Sequence, residues 1–287
     1  MSRPQATLIG FSAVALWALL ALFTVGSAPV PPLQLNAICF AIGGAIGLVW
    51  VGVSEGFGVL RQISWKVYAF GTVALFGYHL LYFSALRLAP PAEASLIAYL
   101  WPLLIVLFSG LLPGERLRPL HILGALIAFA GAALIVARGG VSASASALPG
   151  YGLALLCALT WSSYSLISRR LGSVPTAAVA VYCLATAVLS AGAHLALEET
   201  IWPSTALGWG SVLALGIGPV GLAFYTWDIG VKRGDIQLLG TASYAAPLLS
   251  TLVLVSFGVA AASVILVLAA AMIAAGALLA AMASRSR

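Results

Sequence analysis

The sequence predicts an all-α membrane protein whose ten transmembrane helices form two inverted five-helix repeats. The 287 residues are 62% hydrophobic and only 7% charged, with a mean hydropathy of +1.12, whereas a soluble domain carries about 25% charged residues. The apolar runs are continuous, as membrane helices require, and do not alternate as barrel strands do. The sequence also aligns with itself at an offset of 144 or 145 residues. The composition and the continuous apolar runs exclude a water-soluble protein.

Ten apolar runs have the length of about 20 residues that crosses a bilayer as a helix. Charges, Pro or Gly bound each run. The predicted spans cover residues 6–25, 34–53, 67–86, 91–112, 119–137, 150–168, 174–196, 206–231, 236–257 and 260–283. Because the connections between them are short, no soluble domain is predicted.

The self-alignment divides the chain into two halves, residues 1–145 and 146–287. The aligned pairs are Trp17 and Trp161, Gly77 and Gly221, Tyr99 and Tyr244, Pro102 and Pro247, and Gly131 and Gly276. Chance explains glycine pairs between apolar sequences well, but it explains the Trp and Tyr pairs poorly. Each half holds an odd number of spans, so the second half enters the membrane from the opposite side. Inverted repeats of this kind are typical of secondary transporters, whose site lies near the midplane between the repeats.

The positive charges set the predicted orientation. All but two of the 13 Lys and Arg residues lie on the side of the N-terminus, the exceptions being Arg87 and Arg138. The residues on the N-terminal side are Arg3, Arg61, Lys66, Arg116, Arg118, Arg169, Arg170, Lys232, Arg233, Arg285 and Arg287. Basic residues accumulate in cytoplasmic loops, so both termini are predicted to be cytoplasmic. The net charge of +6 is thus interpreted as a topology signal rather than as a nucleic-acid surface.

One ionisable residue, His79, lies about twelve residues into the third predicted span. Ionisable groups at membrane depth are functional candidates by default. His79 shares a helical face with Tyr82, and Tyr78 is its neighbour in sequence. A lone membrane histidine is often a structural hydrogen-bond partner, but this tyrosine-rich setting favours a cavity-lining role. Its repeat partner is Ala223, so the two halves are not chemically equivalent at this level.

The remaining charges near span ends are given structural interpretations. Asp228 stands four residues before Lys232, which predicts an interfacial ion pair. A second set is expected to contact solvent or lipid headgroups: Arg87, Glu93, His194, Glu198 and Glu199.

Helix breakers occur in three of the predicted spans. Pro102 and Pro247 stand mid-span, where each is expected to kink its helix and free the carbonyl of Ala98 or Ser243. The eighth span contains the run Gly216-Ile217-Gly218-Pro219. Irregular backbone at membrane depth is tolerated where it lines a cavity or packs within protein. A central site beside Tyr99 and Tyr244 is therefore predicted, with kinks used only for packing as the alternative.

Two further patterns concern helix faces. A polar and aromatic face in the sixth span is formed by Trp161, Tyr164, Ser165 and Ser168, at i, i+3, i+4, i+7 spacing. The set Gly43-x-x-x-Gly47 in the second span predicts close helix packing.

Several chemistries lack their residues. The sequence has no Gly-rich phosphate loop, no His-Glu-x-x-His helix and no paired intramembrane aspartates, so an enzyme is not predicted. Cys39, Cys157 and Cys183 all fall in apolar segments and are interpreted as packing residues rather than as metal ligands. No cofactor, metal or nucleic-acid partner is expected. The first span carries no carboxylate, which argues against a site for cationic drugs.

The order of several short motifs resembles a known family. The motifs are Ala6-Thr7-Leu8-Ile9-Gly10 leading to Leu16-Trp17, then Tyr99-Leu100-Trp101-Pro102, Gly114-Glu115, and Ser243-Tyr244 with Pro247 and Leu249-Ser250. With the ten spans and the duplication, they resemble the drug/metabolite transporter superfamily in its EamA-type branch, and more narrowly the YddG-type aromatic amino-acid exporters of bacterial inner membranes. The resemblance covers essentially the whole chain. It departs at Gly258-Val259-Ala260, where the superfamily often repeats Gly-Glu.

The resemblance implies a central cavity between the two halves, lined by spans one, three, four, six, eight and nine. The substrate-binding residues it nominates are Trp17, Tyr78, His79, Tyr82, Tyr99, Trp101, Trp161, Tyr164, Tyr225, Ser243 and Tyr244. The helix breaks expected to act in gating are Pro102, Gly216, Gly218, Pro219 and Pro247.

The predicted function is a bacterial inner-membrane secondary transporter that exports neutral, aromatic or hydrophobic amino acids by alternating access. Aromatic rings would hold the side chain, while His79, Tyr hydroxyls and freed carbonyls would meet the ammonium and carboxylate. Exchange or facilitated flow fits at least as well as proton antiport, because His79 is the one candidate proton carrier near the centre.

Other functions stay open at this point. The same fold could export another small metabolite or a drug. A channel would be expected to show rings of charge or a repeated filter sequence, which the sequence lacks. The expected partners are a small-molecule substrate and the lipid bilayer, and a monomer is compatible with the sequence, which leaves the oligomeric state open.

Overall fold

The computed structural model describes residues 1–137, 145–258 and 263–285, and every regular element within these ranges is helical. The α-helices are α1 (Arg3–Trp17), α2 (Leu20–Gly26), α3 (Pro32–Ser54), α4 (Gly58–Arg61), α5 (Trp65–Leu88), α6 (Pro91–Ala98), α7 (Trp101–Ser109), α8 (Pro119–Val136), α9 (Leu148–Arg170), α10 (Ala178–Leu197), α11 (Ala206–Ile217), α12 (Ala223–Arg233), α13 (Ile236–Ala242), α14 (Ala245–Ser256) and α15 (Val264–Arg285). A 3₁₀ turn covers Ala145–Ala147, and a π-helical turn covers Gly218–Leu222. Arg138, Val259, Ala260 and Arg287, which the sequence argument used, lie outside the described residues.

Nine helical segments in the described part of the chain are long and apolar enough to cross a membrane. They correspond to nine of the ten predicted spans, three of them interrupted within: α1 with α2, α11 with α12, and α13 with α14. The predicted fourth span, residues 91–112, is present as the two shorter helices α6 and α7. The prediction of an all-helical, multi-pass membrane protein is confirmed.

Long helices pack side by side in four main pairs. These pairs are α3 with α10, α8 with α15, α5 with α9, and α1 with α12. Each pair joins a helix of the first half to a helix of the second half. The two halves of the sequence therefore interlock along most of the membrane depth and do not form separate domains.

Small residues let the paired helices approach closely. A Cβ on Gly131 of α8 would lie 3.0 Å from the carbonyl oxygen of Ala269 of α15. A Cβ on Gly276 of α15 would lie 2.8 Å from the Cβ of Ala128. On α3, a Cβ on Gly43 would lie 2.8 Å from the Cα of Gly221. Close packing at the Gly43-x-x-x-Gly47 set is thus confirmed.

A buried ion cluster forms at the end of the molecule opposite the termini. The Glu198 carboxylate accepts hydrogen bonds from the backbone N–H groups of Leu33 and Gln34 at 3.0 and 3.2 Å, the first turn of α3. It also lies 3.1 Å from both Arg87 Nη2 and His194 Nδ1. The expectation that Glu198 and His194 contact solvent is wrong, because the open N–H groups of α3 draw the carboxylate inward. Glu93 is buried as well.

A second cluster joins four segments at the end that carries the termini. The buried Glu115 carboxylate contacts the guanidinium groups of Arg3 and Arg169. Arg3 also lies 3.6 Å from Asp235, while Arg169 Nη1 donates to the carbonyl of Gly234 at 2.8 Å. The ends of α1, α7, α9 and α12 are thereby tied together.

The predicted pair of Asp228 and Lys232 is present, with 2.8 Å between Nζ and Oδ2. Both side chains are buried within the protein, only 1% and 4% exposed. Thr176 donates a further hydrogen bond to Asp228, and Lys232 donates one to the carbonyl of Val174. The pair is therefore a buried, fully bonded group that docks the start of α10 onto α12.

The glycine contact between α8 and α15 gives a test of this packing. Gly276→Ala places its Cβ 2.8 Å from the Cβ and 2.9 Å from the nitrogen of Ala128, so we expect destabilisation of about 1–3 kcal/mol from overpacking. Thermal unfolding of the purified protein in detergent measures the effect. The control is Gly192→Ala on α10, where an added Cβ meets nothing within 4 Å and the unfolding temperature should hold or rise. Equal unfolding temperatures for the two variants would contradict the assigned contact.

Candidate functional site

Four tryptophans meet at the centre of the helix bundle. Trp17, Trp101, Trp161 and Trp227 form a group, here called the tryptophan tetrad, in which all six pairs of ring centroids lie between 5.2 and 6.3 Å apart. Most of these pairs are edge-to-face or tilted, the favourable arrangement for aromatic rings. The rings come from α1, α7, α9 and α12, so the tetrad joins four spans at one point.

Helix positions explain why the tetrad lies at mid-depth. Trp161 is nine residues from the end of α9 at Arg170, or about 14 Å at the α-helical rise. Trp17 ends α1 and Trp101 begins α7, so both stand at helix breaks. Two of the four tryptophans therefore lie where the backbone is interrupted, and Trp161 lies within an unbroken helix.

Hydrogen bonds fix two of the indole rings. Trp17 Nε1 donates to the carbonyl of Pro219 at 3.1 Å, within the π-helical turn Gly218–Leu222. Trp227 Nε1 donates to the hydroxyl of Ser165 at 3.1 Å. The predicted breaker Gly216-Ile217-Gly218-Pro219 thus interrupts its helix beside the tetrad, and Trp17 uses a carbonyl of the interruption.

The side chains Tyr78, His79 and Tyr82 of α5 extend the site from the tetrad. The Tyr78 ring lies 5.4 Å from Trp161 and stacks at 6° on Tyr82, 6.2 Å away. His79 packs edge-on against Phe40 at 5.0 Å. All three polar side chains are half-buried, and Tyr78 packs against the main apolar cluster.

The hydrogen bond of His79 determines what its ring can offer. Nδ1 lies 2.7 Å from the carbonyl oxygen of Leu75, and since a carbonyl only accepts, Nδ1 carries the proton. In the neutral imidazole the other nitrogen, Nε2, is then an acceptor. No hydrogen bond to Nε2 occurs within the described part of the chain, which leaves that lone pair available.

Accessibility falls from one side of the tetrad to the other. Tyr78, His79 and Tyr82, which lead from the tetrad towards the end opposite the termini, are half-buried, as is Trp17. Towards the termini, Trp227 is fully buried and Tyr164 is 1% exposed. The site is therefore closed on the terminal side, below which the Glu115 cluster lies.

Tyr99 and Tyr244, which the repeat pairs, occupy different environments. Tyr99 is half-buried at the break between α6 and α7 and lies near Tyr82. Tyr244 is fully buried against Phe129, and its hydroxyl accepts a hydrogen bond from the N–H of Leu103 at 3.0 Å. That N–H belongs to the first turn of α7 and has no partner within its own helix. Tyr244 therefore caps α7 and stands apart from the rings around Trp161.

The helix breaks lie just before the two prolines. α6 ends at Ala98 and α7 begins at Trp101, so Pro102 is in the first turn of α7, where its missing N–H costs nothing. Pro247 is likewise in the first turn of α14.

The Ala98 carbonyl has no backbone donor within the described residues, as expected. The Ser243 carbonyl is not free, because the N–H of Ala246 donates to it at 3.0 Å.

Two more nominated residues lie away from the tetrad. The Tyr225 hydroxyl donates to the carbonyl of Gly43 at 2.9 Å, and its ring faces Trp50, so Tyr225 joins α12 to α3. The Ser243 hydroxyl donates to the carbonyl of Leu239 within its own helix. Both hydroxyls are committed to structural hydrogen bonds.

Tyr164 links the tetrad to the lateral surface between α5 and α9. Its ring stacks on Trp161 at 5.2 Å on one side and on Phe70 at 5.7 Å on the other. Trp161 in turn stacks on Trp227 at 6.2 Å. A continuous row of four rings therefore runs from a lateral groove to the centre.

Sequence reasoning missed Trp227, Phe224 and Phe40. Phe224 lies 5.7 Å from Trp161, and Phe40 lies 5.3 Å from Phe224. The repeat offset could have indicated Trp227, because it pairs this residue with Phe83. The ring centroids of Phe83 and His79 lie 6.2 Å apart. An aromatic residue at both repeat positions could have nominated Trp227.

The chemistry of the site is aromatic and neutral. Cys39, Cys157 and Cys183 are free and buried. Within the described residues no group of three or more His, Cys, Asp or Glu side chains is arranged to hold a metal ion. The tetrad presents aromatic faces and edges, and His79 Nε2 beside it is a free acceptor among the described residues.

Comparison with known proteins places these features in a family. A model of the EamA-like transporter family matches the chain twice, over residues 5–137 and 148–282. The chain is 56% identical over 289 residues to the aromatic amino acid exporter YddG of Ancylobacter novellus, covering 99% of this chain and 100% of that protein. It is 25% identical over 267 residues to the aromatic amino acid exporter YddG of Salmonella typhimurium, covering 88% of each. A solved crystal structure, 55% identical in sequence, superposes with a TM-score of 0.95 over 99% of each chain.

The repeat-related tyrosines provide a matched pair of variants. Tyr244→Phe removes the acceptor of the Leu103 N–H, so we expect a loss of about 1–3 kcal/mol in unfolding free energy, the cost of an unpaired buried group. Tyr99→Phe removes a hydroxyl that makes no hydrogen bond within the described residues, so stability should be nearly unchanged. Thermal unfolding of both variants in detergent measures the difference. Equal stabilities would refute the capping role of Tyr244.

Proposed function

The chain belongs to the EamA-like transporter family, and from that premise we propose that it exports aromatic and other hydrophobic neutral amino acids across the bacterial inner membrane. The observation that carries the proposal is the tryptophan tetrad at mid-depth with the half-buried His79 beside it. The relatives named above, which are aromatic amino acid exporters, support the same substrate class. The protein is a transporter and not an enzyme.

The proposed binding mode divides the substrate into an apolar and a polar part. Trp17, Trp101 and Trp161 would hold the side chain by stacking and edge contacts, each aromatic pair contributing about 0.5–1.5 kcal/mol beyond area burial. The free Nε2 of His79 and the Ala98 carbonyl would accept hydrogen bonds from the ammonium group. The hydroxyls of Tyr78 and Tyr99 would donate to the carboxylate.

The charge balance favours a zwitterion over a cation. The acid nearest the tetrad in sequence is Asp228, next to Trp227, and its charge is neutralised by Lys232 at 2.8 Å. A cationic substrate would find no unpaired carboxylate there. A neutral amino acid, which carries its own balancing charges, fits this interior.

The proposed architecture is ten spans in two inverted repeats, residues 1–145 and 146–287. The helix pairs support it: replacing each span by its repeat partner maps the pairs α3–α10 and α8–α15 onto themselves, and maps α5–α9 onto α1–α12. The contact of Gly131 with Ala269 likewise maps onto that of Gly276 with Gly124. A two-fold axis between the halves would produce this self-consistency.

The repeat-related residues Trp17 and Trp161 give further support. Their ring centroids lie 5.8 Å apart. Residues exchanged by a two-fold rotation touch each other only at its axis, so the tetrad lies on the proposed axis. Inverted-repeat carriers hold their substrate at this location.

The proposed orientation places both termini in the cytoplasm. Arg3, Arg169 and Arg233 lie at the same end of the bundle as the Glu115 cluster, and the charge bias of the sequence assigns that end to the cytoplasm. The half-buried side chains of Tyr78, His79 and Tyr82 then lie towards the outside. The structure would thus represent a state closed to the cytoplasm, in which the Glu115 cluster holds the closed end.

We expect saturable transport in liposomes that contain the purified protein. Labelled phenylalanine, tyrosine and tryptophan should show counterflow into liposomes preloaded with the same amino acid, and excess unlabelled aromatic amino acid should compete. An imposed pH gradient alone should drive no accumulation, because His79 stays neutral and neither gains nor loses a proton in this scheme. Absence of counterflow across a panel of all twenty amino acids would overturn the proposal, and saturable flux of another metabolite would favour the alternative substrate class.

His79 provides the sharpest variant for the proposed polar contacts. His79→Ala should lower transport, as kcat/KM, about 10- to 100-fold, the range expected for one lost hydrogen bond to a charged group. His79→Gln keeps an acceptor and should retain part of the activity. Unfolding temperature serves as the control for folding. Normal transport by His79→Ala would contradict the proposed contact and indicate that His79 has only a structural role.

A further inference from the structure

A lateral groove of about 580 Å³ opens between α5 and α9 in the half of the bundle nearest the termini. Its volume falls in the range of ~300–1,000 Å³ typical of small-molecule sites. The lining residues are Lys66, Ala69, Phe70, Val73, Ala74, Leu156, Leu159, Thr160, Ser163 and Tyr164.

The spacing of these residues shows that the groove is built from two helix faces. On α5 they recur at positions 66, 69, 70, 73 and 74, and on α9 at 156, 159, 160, 163 and 164, which is the period of a single face in each case. Small side chains at Ala69, Ala74 and Ser163 leave the space, while Phe70 and Tyr164 form the inner wall. Ala69, Val73 and Ser163 are exposed, so the groove faces lipid.

The cationic side chain of Lys66 lies at the end of the groove where the membrane surface is expected. Lys66 is the second residue of α5, and its exposed side chain forms no ion pair with the described residues. The preceding residue, Trp65, is 72% exposed, and exposed tryptophans mark the headgroup level of a bilayer. The ammonium group of Lys66 is therefore positioned to meet a lipid phosphate.

Two hydroxyls further into the groove have no partner. Ser163 is exposed and makes no hydrogen bond within the described part of the chain, although its neighbours Thr160 and Ser162 both bond to their own helix. The Tyr164 hydroxyl is buried and likewise unpaired among the described residues. Unpaired hydroxyls in hydrocarbon are unfavourable, and the ester groups of a phospholipid, one step below its phosphate, would supply the acceptors.

We propose that this groove binds one anionic phospholipid, with its phosphate at Lys66, an ester carbonyl at Ser163 and an acyl chain along Ala69, Val73 and Leu156. The choice of an anionic headgroup follows from the unpaired cation and from the negative surface of the cytoplasmic leaflet. The second of these two grounds rests on the proposed orientation, and the first, the unpaired cation, does not. The site does not depend on the proposed substrate, so a failure of amino-acid counterflow would leave it standing.

Native mass spectrometry of the purified protein in detergent tests the site by titration with phosphatidylglycerol and, separately, with phosphatidylethanolamine. The wild type should hold one phosphatidylglycerol in preference to phosphatidylethanolamine. Lys66→Gln should weaken phosphatidylglycerol binding about fivefold, as expected for one basic residue at a lipid surface. Ala69→Trp, which fills the groove and keeps the charge, should abolish the one-lipid complex.

Arg233→Gln is the matched control. Arg233 is exposed at the same end of the bundle, on α12 away from the groove, and forms no ion pair with the described residues, so this variant should bind phosphatidylglycerol as the wild type does. Equal affinity of the wild type and Lys66→Gln would overturn the proposal. So would equal retention of the two lipids, or an equal loss in Arg233→Gln, since either result would indicate unspecific annular lipid.

Discussion

Backbone groups within the hydrocarbon of a bilayer have no water to bond, so an interrupted membrane helix either takes hydrogen-bond partners from the protein or lines a cavity. This constraint organises the structure. The first turn of α7 binds the Tyr244 hydroxyl, and the π-helical turn after α11 binds Trp17 Nε1. Each partner comes from a distant span. The interruptions therefore join spans together instead of only weakening their helices.

The chemistry of the site departs from the proposed two-fold symmetry of the scaffold. Packing between the halves follows the repeat closely, but His79 corresponds to Ala223 and Trp101 to Ala246. Tyr99 and Tyr244 keep the same residue type and differ in role, because only one hydroxyl is bound to a helix end. In the proposed transport cycle, the symmetric frame would permit alternation between two states, while the asymmetric interior would bind the two ends of a zwitterion differently.

Sequence predicted the spans well because membrane helices carry a strong, local signal in length and hydropathy. The family resemblance nominated three of the tetrad members, Trp17, Trp101 and Trp161, as substrate-binding residues, and that role stays a prediction. Sequence could not predict that Glu198 is withdrawn from solvent, since that depends on the N–H groups of α3 lying opposite it. Nor could it separate Tyr99 from Tyr244, whose difference arises from which helix end each ring meets. The span pattern is local, whereas these assignments depend on tertiary contacts.

The closed end of the bundle shows how the asymmetry could extend from binding to gating. Arg3, Glu115 and Arg169 form one charged cluster that joins three spans. Buried ion pairs contribute little net stability but are costly to break one partner at a time, which suits a contact that must be either formed or fully released. At the repeat offset these residues correspond to Ala147, Val259 and Val25, none of which is charged. The opposite closure therefore cannot use the same ion pairs. In the proposed transport cycle the cytoplasmic end would be sealed by charge, and the outer end would have to be sealed by packing around the substrate.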